Sequence, residues 1–231
     1  YFIETFGCQM NYHDSERISG LLEADGYEAV ADDRLADVVV INTCSVRERA
    51  EEKLYTRLGE LRVMAAEQQR DPIIAVAGCV AQQEGSRILR RNSSVDVIVG
   101  TQSVKSLPRL VRDARDRRQA QVDVNPYDDV SFPLGVARHS DPVRAWVTII
   151  EGCNEFCAFC VVPYTRGHER MRPVSDILAE VHAAVRAGRP EVQLLGQIVN
   201  HYQAPDDGAC GFAELLRRVA AVPGVRRIRF A

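Results

Sequence analysis

The stretch "EGCNEFCAFCVVPYTRG", residues 151–167, sets Cys153, Cys157 and Cys160 at the spacing C-x3-C-x2-C and offers no fourth cysteine beside them. Thiolates bind soft metals, so the question is which metal three of them suit. Structural zinc is held by four Cys or His ligands in a closed tetrahedron, and catalytic zinc usually by three ligands that include His or a carboxylate. His168 nearby and Cys210 further on leave a closed zinc site open. The spacing, directly after a strand pattern, fits an iron–sulfur cluster better. Three cysteines on a four-iron cubane leave one iron without a protein ligand, where a small molecule can bind and react.

Three more cysteines stand upstream, in "FGCQMN", "NTCSVRE" and "AGCVAQ": Cys8, Cys44 and Cys79. Each falls at or just beyond the end of a strand pattern. In open parallel sheets that edge is where strand-to-helix loops converge and ligands bind, so residues far apart in sequence can meet there. The plainer reading is three buried thiols packing as small hydrophobes. Their repeated placement favours metal binding.

The elements that must position these residues follow from periodicity. The first ~120 residues alternate apolar runs with helical patterns, the mark of strands joined by crossover helices in a parallel sheet. Strands are expected at "YFIETFG", "ADVVVINT", "IIAVAG" and "VDVIVG". The first helix, "SERISGLLEADG", is expected to open at Asp14 or Ser15 and stop at Gly26. The second, from Val46 to Gln69, carries Ala50, Leu54, Leu58, Leu61 and Met64 on one stripe. A third is expected from Gln82 to Arg91 and a fourth in "SVKSLPRLVRDARDRR", with Pro108 near its start. From Gln119 the pattern breaks into a polar, proline-bearing stretch that reads as a linker with room for one short strand. A second alternation follows: strand "RAWVTIIEG", helix Val174 to Ala187, strand "EVQLLGQ", helix Phe212 to Ala221 and strand "RRIRFA". The expected organisation is an N-terminal doubly wound α/β domain over 1–118, a linker over 119–143, and the first part of a second β/α domain over 144–231.

Composition narrows the classes. The chain has 231 residues, 46% of them hydrophobic and 26% charged, which is ordinary for a globular protein. No apolar run approaches the ~20 residues of a membrane span, and the opening residues lack a signal-peptide pattern. The cytosol is the expected compartment, and seven cysteines there point to metal rather than disulfides. The net charge of −3 provides no global field to draw in nucleic acid. The chain opens without Met and ends on what reads as the middle of a strand, so a longer protein is expected at both ends.

C-x3-C-x2-C with Phe159 before its last cysteine resembles the signature of radical S-adenosylmethionine (SAM) enzymes. With "TFGCQMN", "VINTCSVRERAEEK" and "AGCVAQQEG", the chain resembles the methylthiotransferase family, over almost its whole length. Within the family it is most similar to the branch acting on N6-isopentenyl-adenosine (dimethylallyladenosine) in tRNA. The branch acting on a ribosomal protein shows a "GCPKN"-like first motif and an "IIPSMRG"-like later one, and the threonylcarbamoyl-adenosine branch a "GCKVN"-like motif. Here Gln9, Met10 and Asn11 stand in the first motif, and "VVPYTRG" follows the downstream cysteines.

The resemblance implies that Cys153, Cys157 and Cys160 hold a SAM-binding 4Fe-4S cluster at the start of a radical SAM barrel, truncated here. It implies that Cys8, Cys44 and Cys79 hold an auxiliary 4Fe-4S cluster. Phe159 is expected against the SAM adenine, or else as a loop packing residue. Gln197, Asn200 and Arg172 are expected to contribute to cofactor binding; no catalytic residue beyond the cluster ligands is expected. The family usually has Asn where this chain has Ile198. Arg166, Arg170 and Arg172 form a basic run that would meet phosphate or the SAM carboxylate, or lie as a solvated loop. His168 is expected at the surface and Cys210 as an incidental thiol. The implied reaction is sulfur insertion at C2 of the modified adenosine next to the anticodon and methylation of that sulfur. Its partners are tRNA and a low-potential electron donor, with no membrane and a monomeric state. The alternatives are the two sister substrates or, from another class, a zinc-bearing RNA-binding scaffold.

Overall fold

A computed structural model describes residues 1–45, 48–126 and 137–231. The chain divides into two compact units, Tyr1–Ser131 and Phe132–Ala231. Among the described residues no helix is long and apolar enough to cross a membrane.

The first unit runs β1 (Phe2–Phe6), α1 (Gln9–Ala24), β2 (Val38–Thr43), α2 (Glu48–Gln68), β3 (Ile73–Gly78), α3 (Cys79–Glu84), α4 (Arg87–Arg91), β4 (Val97–Val99), α5 (Leu107–Arg117) and β5 (Gln121–Asp123). All five strands are parallel and stand in sequential order across the sheet. Strand residues alternate between the two faces, as the pleat requires. Val38, Val40, Ala75 and Ala77 pack with Ile18 of α1 and Leu107 of α5. Val39, Ile41, Ile74 and Val76 pack on the other side with Leu54 and Leu58 of α2. The continuous apolar strands are thus covered on both faces, as expected for this class.

Two helix starts differ from expectation, and the short strand allowed for in the linker is located. The first helix starts at Gln9, not Asp14, because Cys8 serves as N-cap and the Asn11 side chain accepts the Cys8 backbone N–H at 3.3 Å. The third helix starts at Cys79 and breaks at Gly85, whose φ of +50° lies in the left-handed region, before α4 resumes. Residues 121–123, inside the expected linker, form β5 and pair with β4. Val46, where the second helix was expected to open, and 127–136 of the linker lie outside the described residues.

The second unit runs β6 (Arg144–Thr148), β7 (Ile150–Glu151), α6 (Val162–Arg166), β8 (Arg170–Met171), α7 (Val174–Arg186), β9 (Glu191–Leu195), α8 (Phe212–Ala220) and β10 (Arg227–Phe230). β6, β9 and β10 form a parallel sheet with β9 central. Val147, Ile149, Val192 and Leu194 pack against Ile177 and Val181 of α7 and Leu215 of α8. The strand expected over 144–152 is broken: after Thr148 the chain leaves the sheet, and Ile150 and Glu151 pair antiparallel with Met171 and Arg170.

Candidate metal centres at two strand-end edges

In the first unit the register fixes the site. Phe6 is aligned with Thr43, and Thr43 with Gly78. Cys8, Cys44 and Cys79 follow these three aligned positions by one or two residues, so three adjacent strands deliver them to one edge. The Cys44 N–H donates to the Phe6 carbonyl at 2.9 Å, tying two of the strand ends together. Cys44 and Cys79 are buried and Cys8 half-buried.

A network of carboxamides underlies this edge. Asn11 Oδ1 accepts from the Cys8 N–H and from its thiol, both at 3.3 Å. Asn11 Nδ2 donates to Asn42 Oδ1 at 3.2 Å and to the Thr43 carbonyl at 3.3 Å. A Cβ on Gly7 would strike the Asn11 side chain, and one on Gly78 would strike Asn42 Oδ1 and the Thr43 carbonyl. Periodicity gave no sign of Asn11 or Asn42, but a glycine directly before the cysteine, in "FGC", "AGC" and "EGC", was a readable signal of close backbone approach.

In the second unit the cysteine loop is an excursion closed at its base. β7 enters it and β8 leaves it, and the Cys153 N–H donates to the Gly167 carbonyl at 3.1 Å. Gly152 has φ +73°, and a Cβ there would collide with the carbonyls of Gly167 and His168. Asn154 Oδ1 accepts from the Glu169 N–H at 3.1 Å and lies 3.1 Å from His168 Nδ1. Inside the loop, Phe156 adopts φ +46°, uncommon for a side-chain-bearing residue, and the Cys160 N–H donates to the Cys157 carbonyl at 2.9 Å. Cys153 is buried, Cys160 half-buried and Cys157 exposed. Phe159 is 95% exposed. Gly196, at the end of β9, sits close enough to Ile150 that an added Cβ would lie 3.3 Å from its Cβ. Gln197, half-buried, and Asn200, exposed, therefore follow a strand end that abuts the base of the loop.

The basic run is not one solvated face. Arg166 and Arg172 are buried and only Arg170 is exposed. Arg172 Nη1 donates to Glu180 at 2.7 Å and to the Thr148 carbonyl at 2.9 Å, so its charge is matched by Glu180. The Arg172 carbonyl accepts from the buried Tyr202 hydroxyl at 2.8 Å. Burial pushes the titration of that hydroxyl well above its usual range. Arg172 braces the exit of the cysteine loop through Nη1, while its buried Nε makes no hydrogen bond among the described residues. His168 is exposed, as expected. Cys210 lies in the core of the second unit, and burial raises its thiol pKa.

Among the described residues no three His, Cys, Asp or Glu side chains lie close enough together to hold a single metal ion. One zinc would need its sulfurs roughly 4 Å apart at Zn–S bonds of about 2.3 Å. Cys8 and Cys79 follow β1 and β3, which flank β2 and lie about 9–10 Å apart, and a cluster in which each thiolate binds its own iron spans such strand ends better than one zinc. Orphaned donors mark both edges. Thr43 Oγ1 and Ser45 Oγ flank Cys44, and Thr148 Oγ1 ends β6; all three are buried without a hydrogen-bond partner. Buried hydroxyls are rarely left so, and they suit a bound group with acceptor atoms such as sulfide or SAM oxygen. The donor sets therefore fit the implied cofactors.

Comparison with known proteins agrees with the motifs. Residues 1–100 match the model of "Uncharacterized protein family UPF0004". The chain is 44% identical to the tRNA-2-methylthio-N(6)-dimethylallyladenosine synthase of Solibacter usitatus, over 100% of this chain and 51% of the relative. It is 48% and 47% identical to proteins of the same name from Acidothermus cellulolyticus and Thermobifida fusca, over 100% of this chain and 46% of each. The chain thus spans about half the length of the curated relatives it matches. Among solved structures, the radical S-adenosylmethionine methyltransferase TsrM from Kitasatospora setae, with cobalamin and a [4Fe-4S] cluster bound, matches with a TM-score of 0.59 at 13% identity. That match covers 86% of this chain and 49% of the other, and it establishes a shared fold. The name these relatives share is that of the branch whose motifs the sequence resembles.

Proposed function

We propose, from the chain's full-length match to the tRNA methylthiotransferases, that the whole protein inserts sulfur at C2 of N6-isopentenyl-adenosine in tRNA and methylates it with SAM. The observation that carries this reading is the upstream edge, where three adjacent strands deliver Cys8, Cys44 and Cys79 together, separately from the loop of Cys153, Cys157 and Cys160. One triad suffices for a generic radical enzyme; a second gives sulfur insertion its own site.

In this reading Cys153, Cys157 and Cys160 hold the SAM-binding cluster, and Cys8, Cys44 and Cys79 hold the auxiliary one. When bound, these groups supply radical chemistry and sulfur delivery at an adenine C–H too weakly acidic for a general base. The chain's own residues orient and enclose. Hydrogen bonds at its base fix the entry and exit of the cysteine loop, and Arg172 with Glu180 holds the exit strand. Phe159 presents its exposed ring for stacking on the SAM adenine. Gln197 and Asn200 supply polar side chains beside the loop. Ile198, where the family usually has Asn, supplies no polar side chain at its own position. A low-potential electron donor and the tRNA complete the system, and a cytosolic, monomeric protein fits it.

Anaerobic reconstitution of the full-length protein should give about eight irons per chain, two 4Fe-4S clusters. Replacing Cys8, Cys44 and Cys79 with Ala should leave SAM cleavage largely intact and abolish thiolation. Loss of SAM cleavage in that variant, or stoichiometric zinc in place of iron, overturns the reading. Mass spectrometry of tRNA nucleosides from a deletion strain tests the substrate: the 2-methylthio-isopentenyl-adenosine signal should disappear while the threonylcarbamoyl derivative is unaffected.

A further inference from the structure

Asn11 and Asn42 are fully buried, and every polar atom of both side-chain amides is engaged. Asn42 Nδ2 donates to the Asn11 carbonyl at 2.8 Å and to Ser15 Oγ at 2.9 Å, while its Oδ1 accepts from Asn11 Nδ2. The orientations are fixed by the network. Turning Asn11 over would set its oxygen against Asn42 Oδ1 and the Thr43 carbonyl; turning Asn42 over would set its oxygen against the Asn11 carbonyl.

The pair reaches the backbone of Cys8 and of the residues directly before Cys44 and Cys79. Asn11 Oδ1 holds the Cys8 N–H and thiol. Asn11 Nδ2 holds the carbonyl of the Thr43–Cys44 peptide, whose N–H is already tied to Phe6. Gly78, immediately before Cys79, packs directly on Asn42 Oδ1 and the Thr43 carbonyl. Two buried carboxamides contribute little net stability over well-packed apolar side chains, but once satisfied they fix one arrangement. An apolar pair would serve the fold alone.

We propose that Asn11 and Asn42 are positioning residues that set the mutual placement of Cys8, Cys44 and Cys79 through the backbone, the Cys8 S–H contact being given up when the thiolate binds iron. The inference rests on the reading that these cysteines hold the auxiliary cluster. It also explains why glycine precedes Cys8 and Cys79: any side chain at Gly7 or Gly78 would displace the pair.

The test uses the full-length protein carrying Cys153→Ala, Cys157→Ala and Cys160→Ala, so that only upstream iron is counted, reconstituted anaerobically with iron and sulfide. Asn11→Ala, Asn42→Ala and the isosteric Asn42→Asp are compared with this parent. The measurements are iron content, the electron paramagnetic resonance spectrum of the reduced protein, chelator competition and circular dichroism of the apo form. The parent should hold about four irons. The Asn variants, with apo circular dichroism unchanged, should yield iron to chelator at a roughly ten-fold lower concentration and show an altered spectrum. Variants that match the parent in iron, spectrum and chelator resistance overturn the proposal. Iron lost only from variants whose apo form has unfolded marks a merely structural pair and overturns it too. A parent whose iron is absent, or unaffected by Cys8, Cys44 and Cys79→Ala, overturns the cluster reading itself and the proposal with it.

Discussion

Gly152→Ala separates two costs at the base of the cysteine loop. Gly152 has φ +73°, and an L-residue in the left-handed region costs about 1–2 kcal/mol. Gly188, just past α7, has φ +84° and nothing within 4 Å of an added Cβ, so Gly188→Ala carries that backbone cost alone. At Gly152 the Cβ would also fall on the carbonyls of Gly167 and His168, and the first of these accepts the Cys153 N–H. Overpacking of this kind adds about 1–3 kcal/mol. Gly152→Ala should therefore destabilise the second unit by about 2–5 kcal/mol, exceeding Gly188→Ala by about 1–3 kcal/mol. Trp146 in β6, the single tryptophan of the chain, reports the unfolding of this unit in urea through its fluorescence. Gly152→Ala should also lower iron loading at Cys153, Cys157 and Cys160, whereas Gly188→Ala should not. Equal urea midpoints for the two variants would refute the claim that the loop base is closed by contact with Gly152.

Arg172→Met leaves Glu180, its side chain 12% exposed, without a cation, and should cost about 3–5 kcal/mol in urea unfolding; Arg172→Met with Glu180→Leu should recover most of that loss. Phe159→Ala should change stability by no more than about 0.5 kcal/mol, because the ring is exposed, while weakening SAM binding measured by equilibrium dialysis. Asp206 accepts the Val174 and Ser175 N–H groups at the start of α7, at 2.8 and 3.1 Å, and Asp206→Ala should cost about 1 kcal/mol. Some loss of hydration pushes the exposed Asp206 carboxyl up, but these hydrogen bonds outweigh it and hold its pKa below the ordinary value. That contribution is present above about pH 4 and is lost as pH falls through the lowered folded value, so the variant should show a shallower acid-side loss of stability in pH-dependent melts.

The sequence by itself determined the donor types, their spacings, the alternation of strand and helix, and the apolar stripes. These are local quantities: "IIAVAG" reads as a buried strand, and Leu54, Leu58 and Leu61 as one helix face, because side-chain periodicity follows backbone geometry. Element ends were less legible. The start of α1 at Gln9 depends on Cys8 and Asn11 forming a cap that propensity does not register, and the closing of β7 against β8 depends on a partner nineteen residues away in register. Placement was legible only as a tendency. Spacing put Cys8, Cys44 and Cys79 at strand ends, but the order β1-β2-β3 is what makes those ends adjacent. The same holds for Arg172, whose pairing with Glu180 of α7 the sequence does not announce, and for Asp206, which caps a helix from 32 residues away. Sheet register and long-range hydrogen bonds arise from pairing between segments, and only the tertiary structure decides which segments meet.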